Sequence, residues 1–134
     1  MLRVLDISFN RLTSIPPNIN ILASLQILKV GNNKITEFSA LNLPNLEELE
    51  IHDNAINNFI SFSQSYLPAL EILNISNNKL TPKKDYGNVT VLSKLANLRK
   101  LLAVGINLEF ESLDLSHFEK LEVLDVSNNS LNDI

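Results

Sequence analysis

A pattern that returns six times governs what this chain can fold into. LRVLDISFNRL begins at Leu2, LQILKVGNNKI at Leu25, LEELEIHDNAI at Leu46, LEILNISNNKL at Leu70, LRKLLAVGINL at Leu98 and LEVLDVSNNSL at Leu121. With each first leucine as offset 0, apolar residues recur at offsets 0, 3, 5 and 10. Asparagine stands at offset 8 in five of the six units, as Asn10, Asn33, Asn54, Asn78 and Asn129. Successive units start 23, 21, 24, 28 and 23 residues apart. Self-similarity at such a period marks a repeat architecture, in which each unit buries its apolar face against its neighbours.

The physics of one unit follows from its offsets. Apolar residues at 3 and 5, set among variable residues at 2, 4 and 6, describe a strand with one buried face. Units this short cannot return as hairpins in the same sense each time. They must coil, laying equivalent strands side by side in one parallel sheet, about 4.8 Å apart. The asparagine falls where the chain turns off the strand. Its amide both donates and accepts, and can pair backbone groups of the bend and of the next coil. A leucine or aspartate there would leave groups unpaired, at roughly 1–3 kcal/mol each.

The second half of each unit supplies further anchors: Ile15 and Ile19, Phe38 and Leu41, Phe59 and Phe62, then Val91, Leu92 and Leu95. These are expected under the sheet as an irregular or 3₁₀ layer. The long fourth unit leaves room at 82–97 for a short helix through Leu92 and Leu95, capped by Asn88. The fifth unit departs from the rule, with Ala103 at offset 5, Ile106 at offset 8 and asparagine displaced to Asn107. A local distortion is expected there, with Asn107 either an imperfect substitute or pointing outward.

LxxLxLxxNxL, repeated along essentially the whole chain, resembles the signature of the leucine-rich repeat family. The resemblance implies an α/β solenoid, a horseshoe with one parallel concave sheet and a convex side of irregular, 3₁₀ or short-helix segments. It implies a single solenoid over residues 1–134, with about six repeats starting near 2, 25, 46, 70, 98 and 121. Neither end carries a polar capping element of the kind terminal repeats need. The expectation is therefore a segment of a longer protein that supplies flanking repeats or caps. The fifth unit, with AVGINL, looks like the irregular repeats of Toll-type receptor ectodomains.

Composition narrows the function classes. A net charge of −4 lacks the basic footprint of a nucleic-acid binder. No apolar run approaches the ~18 residues of a membrane span, so no membrane contact is expected from this segment. The opening MLRVLDISFN lacks the basic and apolar regions of a secretory signal. There are no cysteines, which removes disulfides, thiolate nucleophiles and cysteine-type zinc sites and suits a reducing compartment. A cytoplasmic location is expected, with an extracellular receptor ectodomain as the alternative. Sequons occur at Asn74, Asn88 and Asn128, a number that 19 Asn and 17 Ser or Thr produce by chance.

Candidate chemistry lies at the solvent-facing strand offsets. Offset 2 carries Val4, Ile27, Glu48, Ile72, Lys100 and Val123; offset 4 carries Asp6, Lys29, Glu50, Asn74, Leu102 and Asp125. Offset 6 carries Ser8, Gly31, His52, Ser76, Val104 and Ser127. Glu48, Glu50 and His52 share a face, but neighbours at i and i+2 lie about 6.5–7 Å apart, too far for one metal without help from flanking strands. Those flanks offer Ile27, Ile72, Lys29, Asn74, Gly31 and Ser76, none a strong ligand. No catalytic residue, cofactor or metal is expected; a solvated face with a Lys29–Glu50 cross-strand pair is the plainer expectation. Val4, Ile27, Ile72 and Val123, with Leu102 and Val104, suggest an apolar patch among charges of both signs, as partner-binding surfaces have. The resemblance implies a non-catalytic module that binds a protein or peptide through its concave face. The candidate contact residues are Ile27, Lys29, Glu48, Glu50, His52, Ile72, Asn74, Lys100 and Leu102. The alternative is the recognition segment of a multidomain receptor or signalling enzyme.

Overall fold

The computed structural model describes residues 1–81, 89–108 and 115–131. Six three-residue strands appear where the pattern demands them: β1 Val4–Asp6, β2 Ile27–Lys29, β3 Glu48–Glu50, β4 Ile72–Asn74, β5 Lys100–Leu102 and β6 Val123–Asp125. They form one parallel sheet in chain order. The coil curves into a solenoid horseshoe with this sheet on its concave side. The carbonyl just before each of β1–β5 accepts two N–H groups from the next coil. Arg3 O, for example, takes Gln26 N at 2.7 Å and Ile27 N at 3.0 Å.

The middle residue of every internal strand, Leu28, Leu49, Leu73 and Leu101, is fully buried. Leu5 and Leu124, on the outer strands, are half-buried. Beneath them run Leu25, Leu46, Leu70 and Leu98, together with the aromatic layer of Phe38, Phe59 and Phe62. The Phe38 and Phe62 rings meet edge to face at 5.3 Å. The second halves are irregular or 3₁₀, with 3₁₀ turns at Pro17–Ile21, Ile60–Gln64 and Val89–Leu92 and no α-helix among the described residues. The segment through Leu92 is thus a 3₁₀ turn rather than a helix. The chain goes on in three-residue closures, with Leu95 N–H donating to Leu92 O at 2.9 Å and Leu98 N–H to Leu95 O at 3.1 Å, a tighter winding than an α-helix. Leu92 and Leu95 are buried all the same, while the capping role expected of Asn88 lies outside the described residues.

One anchoring row escaped the offset pattern. Three residues before each later unit stand Leu22, Leu43, Leu67, Leu95 and Phe118, and each carbonyl accepts the N–H of the leucine that opens the unit, at 3.0–3.3 Å. Pro44 and Pro68 follow directly in this turn, where a φ near −65° is already the required geometry. These turns aim the chain into the strand, and Leu43 and Leu67 are buried.

The asparagine ladder is explicit. Asn33 Nδ2 donates to Ile7 O and Val30 O, while its Oδ1 accepts Leu12 N–H at 3.0 Å. Asn54 and Asn78 repeat this, their Oδ1 atoms taking the N–H groups of Ile35 and Ile56. In the fifth unit Ile106 occupies the ladder position and is buried. The N–H of Leu80, left without a side-chain acceptor, donates to the Ile106 backbone carbonyl at 3.1 Å. Asn129 compensates on the far side by accepting both Ile106 N–H and Leu108 N–H. Asn107 points outward, with its amide donating to Leu80 O at 3.2 Å.

Immediately before the ladder runs a row of left-handed residues: Phe9, Asn32, Asp53, Asn77, Gly105 and Asn128, with φ of 54–62°. Asn107 is the one further residue of positive φ among those described. Asn, Asp and Gly tolerate this region, whereas a bulky side chain there is an outlier. Phe9 is the exception, and it is 79% exposed.

Candidate partner-binding face

Parallel in-register pairing turns the solvent-facing offsets into rows that cross the strands. The first row reads Val4, Ile27, Glu48, Ile72, Lys100, Val123; the second reads Asp6, Lys29, Glu50, Asn74, Leu102, Asp125. Eight of the nine candidate contact residues lie in these rows on β2–β5, and His52 lies just beyond β3. All nine are half-buried, because each side chain is flanked on both sides by a neighbouring strand. Val4 and Val123, on the outer strands, are 52% and 45% exposed. The apolar residues of the first row alternate with charged ones. In register, Glu48 separates Ile27 from Ile72, and Lys100 separates Ile72 from Val123.

The electrostatics differ along the face. At its two ends the acids are satisfied internally. Asp6 accepts the Ser8 hydroxyl and N–H, and Asp125 accepts the Ser127 hydroxyl at 2.6 Å and N–H at 3.0 Å. Hydrogen bonds from these serine side chains hold both carboxyls below the usual aspartate range. At the centre, burial pushes the Glu48 carboxyl up. A hydrogen bond and like charge from Glu50 push the same way, opposed by Lys29 and Lys100. Lys29 lies opposite Glu50 in the pairing, but the cross-strand salt bridge expected between them is not formed. Glu50 Oε2 instead lies 3.8 Å from His52 Nε2.

His52 is held by groups that periodicity did not single out. Its Nδ1 donates to Asp53 Oδ2 at 2.7 Å, and Asp53 Oδ1 accepts Asn77 Nδ2–H at 3.1 Å. The imidazole covers Gly31 so closely that a Cβ there would stand 2.6 Å from Nε2. Gly31 is therefore the seat of the ring, a pairing hinted at in the sequence by the bare glycine at the offset of His52. Asp53 and Asn77 were marked there by the run of Asn, Asp and Gly just before the ladder. Ser76, at the same offset on the other side of His52, is buried and accepts Val104 N–H at 3.0 Å. Among the described residues no group of three or more His, Cys, Asp or Glu is placed to hold a metal ion. Nor is any helix among them long and apolar enough to cross a membrane.

A six-stranded parallel sheet, an asparagine ladder and a 3₁₀-rich back together define a leucine-rich repeat solenoid. Comparison with known families agrees: residues 1–43 match the model for Leucine Rich repeats (2 copies), and residues 69–89 and 120–134 match that for the Leucine Rich Repeat. The chain belongs to the leucine-rich repeat family. Among solved structures it is similar to an internalin from Listeria monocytogenes strain 4b F2365, with a TM-score of 0.75 and 28% identity over 94% of this chain. That match takes in 35% of the internalin, so the chain spans about a third of that protein's length. Internalin C2 from the same strain shares the fold, with a TM-score of 0.51 and 18% identity over 98% of this chain and 74% of its own. No curated protein matches the chain.

Proposed function

We propose that this chain is a non-catalytic recognition module that binds a protein or peptide partner through the open face of its sheet. The contact residues would be Ile27, Lys29, Glu48, Glu50, His52, Ile72, Asn74, Lys100 and Leu102. One observation carries the reading: half-buried apolar and charged side chains alternate across four adjacent strands, and the charges are not consumed internally. Among the described residues Lys29 and Lys100 make no ion pair, and Glu48 and Glu50 crowd one another. Apolar anchors beside unquenched charges of both signs give a partner both buried area and register. Membership of the repeat family supports the same reading.

The test is to select binders from a displayed protein library on the purified chain and rebind them to variants. Ile72→Arg and Glu50→Lys are expected to weaken binding at least tenfold, while Lys94→Glu, on the convex side, leaves it unchanged. Binders that retain full affinity for both face variants, with the circular dichroism spectrum intact, would refute the reading.

A further inference from the structure

The order of charges across β2–β5, together with the strand spacing, constrains the shape of a partner. Lys29 contributes a cation on β2, Glu48 and Glu50 two anions on β3, Ile72 an apolar side chain on β4, and Lys100 a cation on β5. We propose that the partner segment is an amphipathic α-helix lying across these strands. It would set an acidic residue over Lys29, a basic residue over Glu48 and Glu50, an apolar residue over Ile72 and an acidic residue over Lys100. The inference rests on the partner-binding reading above and adds the partner's secondary structure and charge order.

Spacing selects the helix. Three steps between parallel strands cover about 14 Å. One face of an α-helix repeats every turn of about 5.4 Å, so three turns cover about 16 Å. Lys29 and Lys100 stand in different rows, two residues apart along the strand, so the path between them is inclined about 25° to the rows and is about 16 Å long, which three helical turns match. An extended segment presents same-side residues every 6.6–6.8 Å or so, and three such steps cover about 20 Å. Its last anchor would overshoot Lys100 by about 4 Å, nearly a full strand spacing.

The chemistry limits the footprint to the same four strands. Asp6 on β1 and Asp125 on β6 already accept hydroxyl and backbone hydrogen bonds from Ser8 and Ser127. They present little unmet demand for a cation. Glu48, by contrast, faces Glu50 on its own strand, with Lys29 and Lys100 too distant to pair with it. A cation arriving between the two glutamates relieves their repulsion, and Ile72 beside them supplies apolar contact that excludes water. His52, seated on Gly31 and tied to Asp53, borders this cation position.

Fluorescence anisotropy with side-chain-stapled helices of about four turns tests the proposal. One peptide carries Glu, Arg, Leu and Glu at i, i+4, i+7 and i+11. A second exchanges the acidic and basic positions, and a third keeps the four anchor residues but is broken by prolines between them. The ordered helix is expected to bind at least tenfold more tightly than the exchanged one. A chain carrying Lys29→Glu, Glu48→Lys, Glu50→Lys and Lys100→Glu is expected to invert that preference. Equal affinity of the two helices, equal affinity of the proline-broken peptide, or no binding below about 1 mM would overturn the inference. If the broken peptide binds better and Ile72→Arg abolishes it, the helix is wrong and the face stands. If Ile72→Arg changes nothing for any peptide that binds, the face itself is wrong.

Discussion

Replacing Asn78 by isoleucine tests whether the ladder amide, rather than apolar burial, holds the coils in register. Asn78 is 2% exposed; its Oδ1 accepts Ile56 N–H at 3.1 Å, and its Nδ2 donates to Ile51 O and Ile75 O at 3.0 Å. Ile51 O keeps a second donor in Asn54, but Ile56 N–H and Ile75 O lose their partners. Two orphaned buried groups at roughly 1–3 kcal/mol each put the cost near 2–6 kcal/mol. The fifth unit carries this very substitution, Ile106, and tolerates it because its own backbone carbonyl turns to accept Leu80 N–H. That turn places Asn107 at φ 61°. The equivalent of Asn107 in the fourth unit is Lys79, a poor left-handed residue, whose forcing adds about 1–2 kcal/mol. Adding Lys79→Asn to Asn78→Ile should therefore recover about 1 kcal/mol. Asn10→Ile, at an exposed ladder position, should cost well under the Asn78 change, because Asn10 bonds only Ile7 O and Ser8 O. The assay is equilibrium unfolding in guanidinium chloride followed by circular dichroism, comparing midpoints at constant slope. A loss below about 1 kcal/mol for Asn78→Ile, or equal losses at Asn78 and Asn10, would refute the argument.

Three further outcomes are expected. Phe9→Asn should stabilise the fold by about 1 kcal/mol, since it relieves a left-handed bulky residue that is 79% exposed; the same unfolding experiment reads it. Glu48→Gln should raise the melting temperature at pH 7, where the glutamate is charged against its raised pKa. The gain should vanish as the pH falls through the glutamate range and Glu48 becomes neutral in both states; its persistence at pH 3 would refute the assignment. Gly31→Ala should cost about 1 kcal/mol by driving the imidazole off its seat, and less than half of that in a His52→Ala background, as a double-mutant cycle would measure.

The repeat rows were legible because each answers to a single physical demand. Leu28, Leu49 and Leu73 must be apolar to fill the space behind the sheet, and Asn33, Asn54 and Asn78 must both donate and accept. The left-handed row was equally present in the sequence, as Asn32, Asp53, Asn77, Gly105 and Asn128, but its demand falls on the backbone and has no hydropathy signature. The turn residues Leu43 and Leu67 fall outside the strand period and so carry no strand-period signal. The face was harder to read. Which side chains share a row follows from the offsets, yet whether Lys29 pairs with Glu50 depends on rotamers and distances that periodicity cannot supply. Nor could it reveal that the His52 ring needs the bare Cα of Gly31.

These rows divide the chain into two populations with different consequences on mutation. Ladder, core and turn residues are mutually satisfied across coils, so a change at one leaves orphans in two units. The residues at offsets 2 and 4 of β2–β5 satisfy little within the chain. Exposed ion pairs contribute about 0–1 kcal/mol even when formed, and Lys29 and Lys100 form none among the described residues. Charge changes there are thus close to neutral for folding. Glu48 goes further, because burial and the neighbouring Glu50 disfavour its charge, and a cation of a partner placed there would offset both. A residue whose charged form is disfavoured in the free chain and favoured in a complex links affinity to pH. Binding through Glu48 should therefore weaken as acid neutralises it, and binding that is indifferent to pH between 7 and 4 would mean that no cation of the partner sits there.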